Sequence, residues 1–424
     1  VIGVTGCMAQ RMGDELLRRA PHVELVLGPD AYRRLPEALA ALRPGWGAPA
    51  PGGAPAPRPD PAPGAAPGPV RTAAGSGSEP AAPAPRRRSL PVFAVTGAPA
   101  GGAPAPVAPA LTDGAAAAAM RALTGDAPAV ATVAPAEGAP PAPADRAAAP
   151  RRIAILDFQP HENYEGLEVR RASRVSAWVP IQRGCNYRCT YCIVPYVRGP
   201  EKNRDPEKIL AEVRAIAEQG IPEVVLLGQT VNSYAYGEWD FARLLRAVAR
   251  VDGIRRVRFT SPHPNDVTPA LVEVMATEPA VCKQLHLPVQ AGHDRTLRRM
   301  LRRYTVAQYL EKVELVRAAV PGIALSTDII VGFPGETEEE FEATLDLLRR
   351  VRYDDAFLYK YSPRAGTPAT RLPREQFVPD EVAQARLERA IALHREIQTE
   401  INQAEVGRVV EVLVEREART PGDV

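Results

Sequence analysis

The strongest constraint on the fold is a regular alternation of strand and helix patterns in the second half of the chain. Six apolar strand patterns are separated by five amphipathic helical patterns. Consecutive strands joined by helices run parallel, and right-handed crossovers curl such a sheet. We therefore predict an α/β fold with a partial (β/α)6 barrel over residues 151–400. The predicted strands are Ala177 to Ile181, Glu223 to Leu227, Arg255 to Thr260, Lys283 to Leu287, Ala324 to Val331 and Asp354 to Tyr361.

The intervening helices have clear boundaries. Asp205 is placed to cap a helix that has Pro206 in its first turn and stops at Gly220. A longer helix is predicted from about Asp380 to Glu405, after the last strand. The remaining predicted helices are Phe241 to Val251, Thr268 to Ala276, Val306 to Val320 and Glu338 to Val351.

Polar and glycine-rich segments follow all six predicted strands. They include Gly228-Gln229 after the second strand, Pro288-Val289-Gln290 after the fourth and a run beginning at Gly332 after the fifth. In barrel enzymes the carboxyl ends of the strands carry the chemistry. Ordinary turns would also be polar, but their occurrence after every strand favours an active site at this edge.

The first 150 residues divide into two parts. Residues 1–43 have an α/β pattern, with strands at Val1 to Val4 and Val23 to Leu27, a helix over Ala9 to Arg19 and a second helix from Asp30. Residues 44–150 contain 24 of the 45 prolines in the chain, together with long Ala and Gly runs. Such a composition buries too little apolar area to offset the entropy of ordering. We predict a disordered linker there, with at most transient helix at Ala115 to Ala119.

The bulk properties exclude few functions. The formal net charge is +2, from 52 basic and 50 acidic side chains, so a nucleic-acid surface has to be local. No stretch reaches the roughly 18 consecutive apolar residues of a membrane span, and the start does not resemble a secretory signal. These features predict a cytoplasmic protein. The chain begins and ends within or near strand patterns, which indicates truncation at both ends.

Three of the five cysteines lie within eight residues. Cys185, Cys189 and Cys192 form a C-x3-C-x2-C pattern at the end of the first predicted barrel strand. Three thiolates satisfy three irons of a [4Fe-4S] cube and leave the fourth iron open to bind a substrate. The alternative is a zinc site, which normally has a fourth Cys or His ligand. Histidines are available for that role, at His263, His286 and His293.

The cysteine spacing resembles that of the radical S-adenosylmethionine (SAM) superfamily. In that family the open iron binds the methionyl part of SAM, and reduction releases a 5'-deoxyadenosyl radical. The resemblance implies that Tyr191 packs beside the adenine, that Gly228 and Gln229 face the methionyl amino group, and that Gln290 and Gly332 lie near the ribose and adenine.

Several longer runs narrow the resemblance. RGCNYRCTYCIVPYVRG, LLGQTVNSY, SPHP, HLPVQAG, TDIIVGFPGETEEEFE and YSPRAGT look like the MiaB family of tRNA 2-methylthio-N6-dimethylallyladenosine synthases. The usual Gln-Asn-Val-Asn of that family is Gln-Thr-Val-Asn here, which changes contacts at Thr230. The resemblance also implies that residues 1–43 are the end of a methylthiotransferase domain and that residues 401–424, with a strand at Val409 to Val414, begin a TRAM β-barrel.

Members of the MiaB family carry a second [4Fe-4S] cluster, which supplies sulfur, on three amino-terminal cysteines. The GCMAQR run places Cys7 at the last of those positions, and the other two would precede Val1. The chain alone therefore holds an incomplete auxiliary site. A small buried residue is the alternative role for Cys7. Cys282 is interpreted as a core residue.

Two groups of basic residues predict local contact with RNA at the mouth of the site, since basic side chains position a phosphate backbone. The first group surrounds the cysteine loop and consists of Arg183, Arg188, Arg198, Lys202 and Arg204. The second follows the fourth strand and consists of Arg295, Arg298, Arg299, Arg302 and Arg303. The alternative role of this second group is to form a solvated helix face.

The resemblance to the MiaB family implies a tRNA methylthiotransferase that modifies C2 of N6-isopentenyladenosine beside the anticodon. The implied partners are the tRNA anticodon stem-loop and a reducing protein such as flavodoxin or ferredoxin, with the enzyme a monomer. Two sister activities remain open: methylthiolation of threonylcarbamoyl-adenosine in tRNA, and of an aspartate in a ribosomal protein. A non-catalytic RNA-binding protein with a structural zinc is the alternative from another class.

Overall fold

The computed structural model describes residues 1–42, 131–132, 152–159, 161–166, 169, 171 and 173–413. These residues belong to one compact unit, in which the amino-terminal segment packs with the chain from residue 152 onward. The predicted linker, including Ala115 to Ala119, lies outside the described residues apart from residues 131 and 132.

The amino-terminal residues form a small sheet together with strands that come after the predicted linker. Its strand order is β1-β2-β4-β3, with β3 antiparallel to β4 and the other pairs parallel. We predicted a domain boundary at residue 151, but β4 pairs with β2 on the amino-terminal side of that boundary. The strands are β1 (Gly3–Thr5), β2 (Leu25–Leu27), β3 (Ala131–Thr132) and β4 (Ile153–Ile155).

Short helices cover this sheet. The single helix predicted over Ala9 to Arg19 is divided at Gly13, whose φ of 51° lies in the left-handed region. The helix predicted from Asp30 begins as a 3-10 segment, Pro29–Arg34, and then becomes α-helical. The α-helices are α1 (Cys7–Met12), α2 (Asp14–Arg19) and α3 (Leu35–Leu42).

The six predicted parallel strands are all present, with ends within two residues of the prediction. They form two three-stranded parallel sheets, β5-β8-β11 and β12-β13-β14. Ladder hydrogen bonds around Val257 join the two, since its N–H donates to the Ala280 carbonyl at 2.7 Å and its carbonyl accepts from Cys282 N at 3.0 Å. The described residues do not close this sheet into a barrel. The strands are β5 (Ser176–Pro180), β6 (Gln182–Arg183), β7 (Lys202–Asn203), β8 (Glu223–Leu227), β9 (Ala235–Tyr236), β10 (Trp239–Asp240), β11 (Arg256–Phe259), β12 (Gln284–His286), β13 (Ala324–Val331) and β14 (Asp355–Lys360).

Helices follow the strands as predicted and cover one face of the sheet. Side-chain caps fix their starts: Asp205 accepts from Glu207 N, and Thr305 and Thr337 each form a capping box. Their apolar faces and that face of the sheet form one continuous core. The helices are α4 (Val194–Arg198), α5 (Pro206–Glu218), α6 (Phe241–Ala249), α7 (Pro269–Thr277), α8 (Asp294–Arg299), α9 (Val306–Ala319), α10 (Glu338–Val351) and α11 (Asp380–Ala404).

At the carboxyl end the predicted helix is confirmed and the predicted strand is not. Helix α11 ends at Ala404, one residue from the predicted end, and so extends past the predicted domain boundary at residue 400. The strand predicted over Val409 to Val414 is not formed across residues 409–413, and Val414 lies outside the described residues. The side chains of Val409 and Val412 are exposed, and no described strand lies beside them to pair with the backbone. In the described part of the chain, no helix is long and apolar enough to cross a membrane.

Candidate functional site

The three clustered cysteines lie in one loop between β6 and α4, at the carboxyl edge of β5. Cys189 is buried, whereas Cys185 and Cys192 are partly exposed, and all three thiols are free. Cys192 N donates to the Cys189 carbonyl at 3.0 Å, which folds the second and third cysteines into a tight turn. The loop therefore presents three thiols from a single short segment, as the spacing predicts.

Gly184 allows the loop to turn at the edge of the sheet. Its φ is 79°, and a Cβ there would lie 2.0 Å from the Pro200 carbonyl oxygen. Its N–H donates to Gln229 Oε1 at 2.6 Å, and the next N–H, of Cys185, donates to the Gly199 carbonyl at 3.2 Å. The start of the cysteine loop is thus held on both sides, and only glycine fits there.

Two side chains contact the sulfur atoms directly. Thr230 Oγ1 lies 3.1 Å from Cys185 Sγ, and Arg302 Nη1 donates to Cys189 Sγ at 3.5 Å. Burial raises the pKa of the Cys185 thiol, and it raises that of Cys192 to about 11. Sequence reasoning missed Arg302 as a neighbour of the thiols, because 113 residues separate it from Cys189.

The middle one of the three residues between Cys185 and Cys189, Tyr187, is fixed by stacking. The Tyr187 ring lies 3.7 Å from the His263 ring with an interplanar angle of 14°, and its hydroxyl donates to Asp266 Oδ2 at 2.8 Å. His263 is buried, and this burial, aided by Arg302, lowers its pKa to about 2. The Ser-Pro-His-Pro segment after β11 therefore supports the cysteine loop with a neutral histidine.

Gly228 and Gln229 directly follow β8, as predicted. A Cβ on Gly228 would lie 2.9 Å from both Gln182 Oε1 and Val231 Cα, so the residue packs closely against β6 and the following 3-10 turn. The side chain of Gln229 accepts the Gly184 N–H. Gln229 thus orients the cysteine loop, a contact that the sequence did not predict.

Gln290 and Gly332 lie on neighbouring segments beyond β12 and β13. Gln290 has a φ of 73° and pairs with Ile329, and Gly332 has a φ of 70°. Gly332 N donates to Glu336 Oε2 at 2.7 Å, and Arg386 donates to the same oxygen at 2.9 Å. Burial raises the pKa of Glu336 to about 7 against the opposing effect of both donors. Both predicted cofactor contacts therefore lie at the edge that carries the cysteines.

Tyr191 is packed against the main core, between the second and third cysteines. Burial raises the pKa of its hydroxyl well above the usual value. Its ring is therefore a fixed neutral surface beside the thiols.

The match to known proteins covers this site. Residues 179–348 match the model of the radical SAM superfamily. Residues 179–348 of this chain therefore carry a radical SAM domain. Because that superfamily is defined by its use of SAM and a cysteine-bound cluster, the match confirms SAM and a [4Fe-4S] cluster as the predicted cofactors of the domain.

Curated relatives confirm the resemblance to the MiaB family. A tRNA-2-methylthio-N(6)-dimethylallyladenosine synthase of Carboxydothermus hydrogenoformans is 51% identical over 259 residues, 60% of this chain and 58% of the relative. The enzyme of the same name from Chlorobium luteolum is 47% identical over 290 residues, 66% of this chain and 64% of the relative. That from Mycobacteroides abscessus is 46% identical over 284 residues, 65% of this chain and 56% of the relative. The chain thus spans about six-tenths of the length of these relatives.

Cys7 lies next to the radical SAM domain. It is the first residue of α1, which packs against α4, the helix that begins two residues after Cys192. Arg198, on α4, donates from Nε to Cys7 Sγ at 3.2 Å. The partly exposed thiol therefore faces the cysteine-loop side of the molecule.

Several of the basic residues predicted to contact RNA are buried instead. Arg183 is 1% exposed and pairs with Asp30, and Arg204 pairs with Glu212 at 2.8 Å. Arg302 is likewise buried, which overturns its assignment to an RNA surface. The sequence misled because Arg183 lies in a two-residue strand and Arg204 and Arg302 lie outside helices and strands, so no periodicity separates buried from exposed positions there. Those that remain exposed are Arg188, Arg295, Arg298 and Arg303.

The face of the sheet opposite the helices, called here the inner face, carries aromatic and polar side chains. Phe357 and Tyr359 on β14 are 46% and 52% exposed, and Trp178 on β5 is 59% exposed. Register places Asp328 beside Phe357, and His286 beside Ser326. The sequence did not predict these inner-face side chains as a group. The packing of the helices decides which face of the sheet is covered, and the strand patterns do not contain that information.

A histidine–carboxylate pair lies on the inner face. His286 Nδ1 is 3.0 Å from Ser326 Oγ, and its Nε2 is 3.3 Å from Asp328 Oδ2. The Phe357 ring meets the imidazole edge-on at 5.8 Å. The imidazole is therefore oriented on both nitrogens while it remains partly open to solvent.

The donor set fits a cluster. Three thiols from one loop have a nearby cationic donor and a hydroxyl, as anionic thiolate ligands require. Among the residues that the structure describes, no three His, Cys, Asp or Glu side chains are arranged to hold a single metal ion. A [4Fe-4S] cluster does not need its ligands to surround one ion, because each cysteine binds a separate iron.

Proposed function

We propose that this chain contains the catalytic core of a tRNA methylthiotransferase that modifies C2 of N6-isopentenyladenosine beside the anticodon. The observation that carries the proposal is the three-cysteine loop at the carboxyl edge of the sheet, in a domain whose curated relatives share the corresponding name. Because the chain spans only part of those relatives, the activity is assigned here to the complete protein.

In this proposal Cys185, Cys189 and Cys192 hold the [4Fe-4S] cluster, which together with SAM supplies a 5'-deoxyadenosyl radical when both are bound. Tyr191, Gly228, Gln229, Gln290 and Gly332 would border the SAM. Their common position at the carboxyl ends of the strands supports this assignment. The chain itself orients the ligands and keeps water from the buried Cys189.

The inner face is proposed to bind the modified base. Adenine and an apolar N6 substituent require stacking surfaces and a few hydrogen-bonding groups, and single bases are commonly held on aromatic side chains. Trp178, Phe357 and Tyr359 provide exposed aromatic surface, and the His286–Asp328 pair provides oriented polar groups. In this arrangement the base approaches the cysteine edge along the sheet.

Cys7 is proposed as one ligand of the auxiliary sulfur-supplying cluster. Support comes from the contact of its helix with α4, directly after the cysteine loop. Residues 1–43 then belong to the methylthiotransferase domain and residues 401–424 to the start of a TRAM domain. A cytoplasmic monomer reduced by flavodoxin or ferredoxin completes the proposal.

The first experiment tests the cofactors. The protein is reconstituted anaerobically with iron and sulfide, reduced with SAM, and assayed for 5'-deoxyadenosine. We expect formation by the wild type and loss in Cys185→Ala. Cys282→Ala should retain it, because Cys282, predicted as a core residue, is instead partly exposed and precedes β12, away from the loop. Zinc without iron or sulfide in the wild type would favour the RNA-binding alternative.

The second experiment tests the substrate. Bulk tRNA from a strain lacking the gene is analysed by mass spectrometry for methylthiolated nucleosides. We expect methylthio-isopentenyladenosine to disappear and to return when the gene is supplied. An unchanged level of that nucleoside, with loss of methylthio-threonylcarbamoyl-adenosine or of the modified ribosomal aspartate, would assign a sister activity instead.

A further inference from the structure

Arg302 is a buried cation whose partners include no carboxylate among the residues that the structure describes. It is 5% exposed. Nη2 donates to the Pro288 carbonyl at 2.9 Å, Nε donates to the Tyr304 hydroxyl at 2.9 Å, and Nη1 donates to Cys189 Sγ at 3.5 Å. The guanidinium is therefore aimed at one of the three clustered sulfurs.

Other buried arginines of this chain have acidic partners. Arg183 pairs with Asp30, and Arg386 donates to Glu336 at 2.9 Å. Burying a charge without a counter-charge costs several kcal/mol. Arg302 thus differs from the others in having only neutral groups and thiols around it.

The hydrogen-bond partners of Arg302 other than Cys189 are uncharged groups. They are the Pro288 carbonyl and the Tyr304 hydroxyl, which itself donates to the Val289 carbonyl at 2.8 Å. The sulfur of Cys189 remains as the group that becomes anionic, since a cysteine bound to iron is a thiolate.

The backbone around Arg302 is held in an unfavourable conformation. Leu301 and Arg303 have φ values of 56° and 54°, in the left-handed region that non-glycine residues seldom occupy. Strain of this kind persists only where surrounding contacts enforce it. Thr190 supplies such contacts, because its N–H donates to the Met300 carbonyl at 3.1 Å and its hydroxyl donates to the Arg299 carbonyl at 2.8 Å. The turn that carries Arg302 is thus fastened to the cysteine loop.

We propose that Arg302 is the internal counter-ion of the cluster and raises its reduction potential by donating to the Cys189 thiolate. The inference rests on the proposed function for the presence of the cluster. Reduction adds one electron from an external low-potential donor, and no bond forms or breaks in that step. The added negative charge is attracted to the buried guanidinium, so Arg302 stabilises the reduced cluster more than the oxidised cluster. Arg302 is a positioning residue, because it acts through Cys189.

The test is an anaerobic redox titration of the reconstituted protein, followed by electron paramagnetic resonance in the absence of tRNA. Arg302→Gln removes the charge, Arg302→Lys retains it, and Arg303→Gln changes the exposed neighbour. We expect Arg302→Gln to lower the ratio of reduced to oxidised cluster at a fixed potential at least tenfold, a shift of ~59 mV for one electron. Arg302→Lys should shift the ratio less, and Arg303→Gln should leave it unchanged.

An unchanged potential in Arg302→Gln, with full iron and sulfide content, would overturn the inference while leaving the proposed function intact. Absence of a [4Fe-4S] signal from the wild type would instead remove the proposed function. If Arg302→Gln does not fold, Tyr304→Phe replaces it, because that variant removes only the hydroxyl that accepts from Nε. A smaller shift in the same direction is expected there, and no shift would assign Arg302 to stability alone and overturn the inference.

Discussion

Gly184 illustrates how a single position controls the cysteine loop. Its positive φ would cost alanine about 1–2 kcal/mol, and the 2.0 Å approach of a Cβ to the Pro200 carbonyl adds a clash with backbone. We expect Gly184→Ala to displace Cys185 and to lower the iron bound per chain severalfold. Iron and sulfide analysis after reconstitution provides the measurement.

Gly322→Ala is the matched control for Gly184→Ala. Gly322 has a φ of 73°, but a Cβ there would have open space around it. The control should lose about 1–2 kcal/mol of unfolding free energy, from the positive φ alone, and keep its iron. Equal iron content in the two variants would mean that the loop adapts to a Cβ at position 184.

At the residue scale, local spacing predicted the thiols, but it did not predict their neighbours. The C-x3-C-x2-C pattern is contiguous, so its loop follows directly from the chain. Thr230 and Arg302 reach the sulfurs only after the sheet has brought distant segments together. A basic residue in an irregular segment has no periodicity to indicate burial, which explains the wrong assignment of Arg302 to an RNA surface.

At the element scale, His394 makes the docking of α11 sensitive to pH. It is buried, and neither ring nitrogen has a hydrogen-bond partner among the described residues. Burial lowers its pKa below the usual 6.5, despite Asp355 3.9 Å away. The unfolded chain then binds a proton more readily than the native one, so stability is complete above about pH 6.5 and falls as the pH decreases toward the native pKa.

We expect His394→Leu to flatten this acid dependence. The free energy of unfolding is measured with urea at pH 7.5 and at pH 5.5. Its decrease between these pH values should be about 1 kcal/mol larger in the wild type than in the variant. One proton allows at most ~1.4 kcal/mol per pH unit. His22→Gln, at an exposed position, should behave as the wild type. An equal decrease of the unfolding free energy in His394→Leu and in the wild type would contradict the assignment of the acid dependence to His394.

The elements themselves were largely predictable, because periodicity and caps are local properties. Glu223–Leu227, Ala324–Val331 and Glu338–Val351 have the boundaries that the sequence indicates. Partners of short strands were not predictable. Ile153–Ile155 pairs with a strand more than a hundred residues earlier, and nothing in its own three apolar residues identifies that partner. A strand pattern alone likewise did not suffice at Val409 to Val414, where no described neighbour pairs with it.

At the scale of the whole molecule, one ion-pair network joins the amino-terminal segment to the radical SAM domain. Asp30 pairs with Arg183, which is 1% exposed, and with Lys202 at 3.1 Å. Asp30 Oδ2 also accepts from Gln159 N at 2.8 Å. Since Arg183 precedes Cys185 by two residues, the network links the fold of the amino-terminal segment to the position of the cysteine loop.

We expect Asp30→Asn to destabilise the chain by roughly 3–5 kcal/mol, because it leaves the buried Arg183 without a counter-charge. Glu15→Gln removes an exposed pair with Arg19 and should cost only about 0–1 kcal/mol. Urea unfolding of the apo protein measures both, and iron content after reconstitution reports on the loop. Similar losses in the two variants would mean that water reaches Arg183, and that the amino-terminal segment is not coupled to the cysteine loop through this pair.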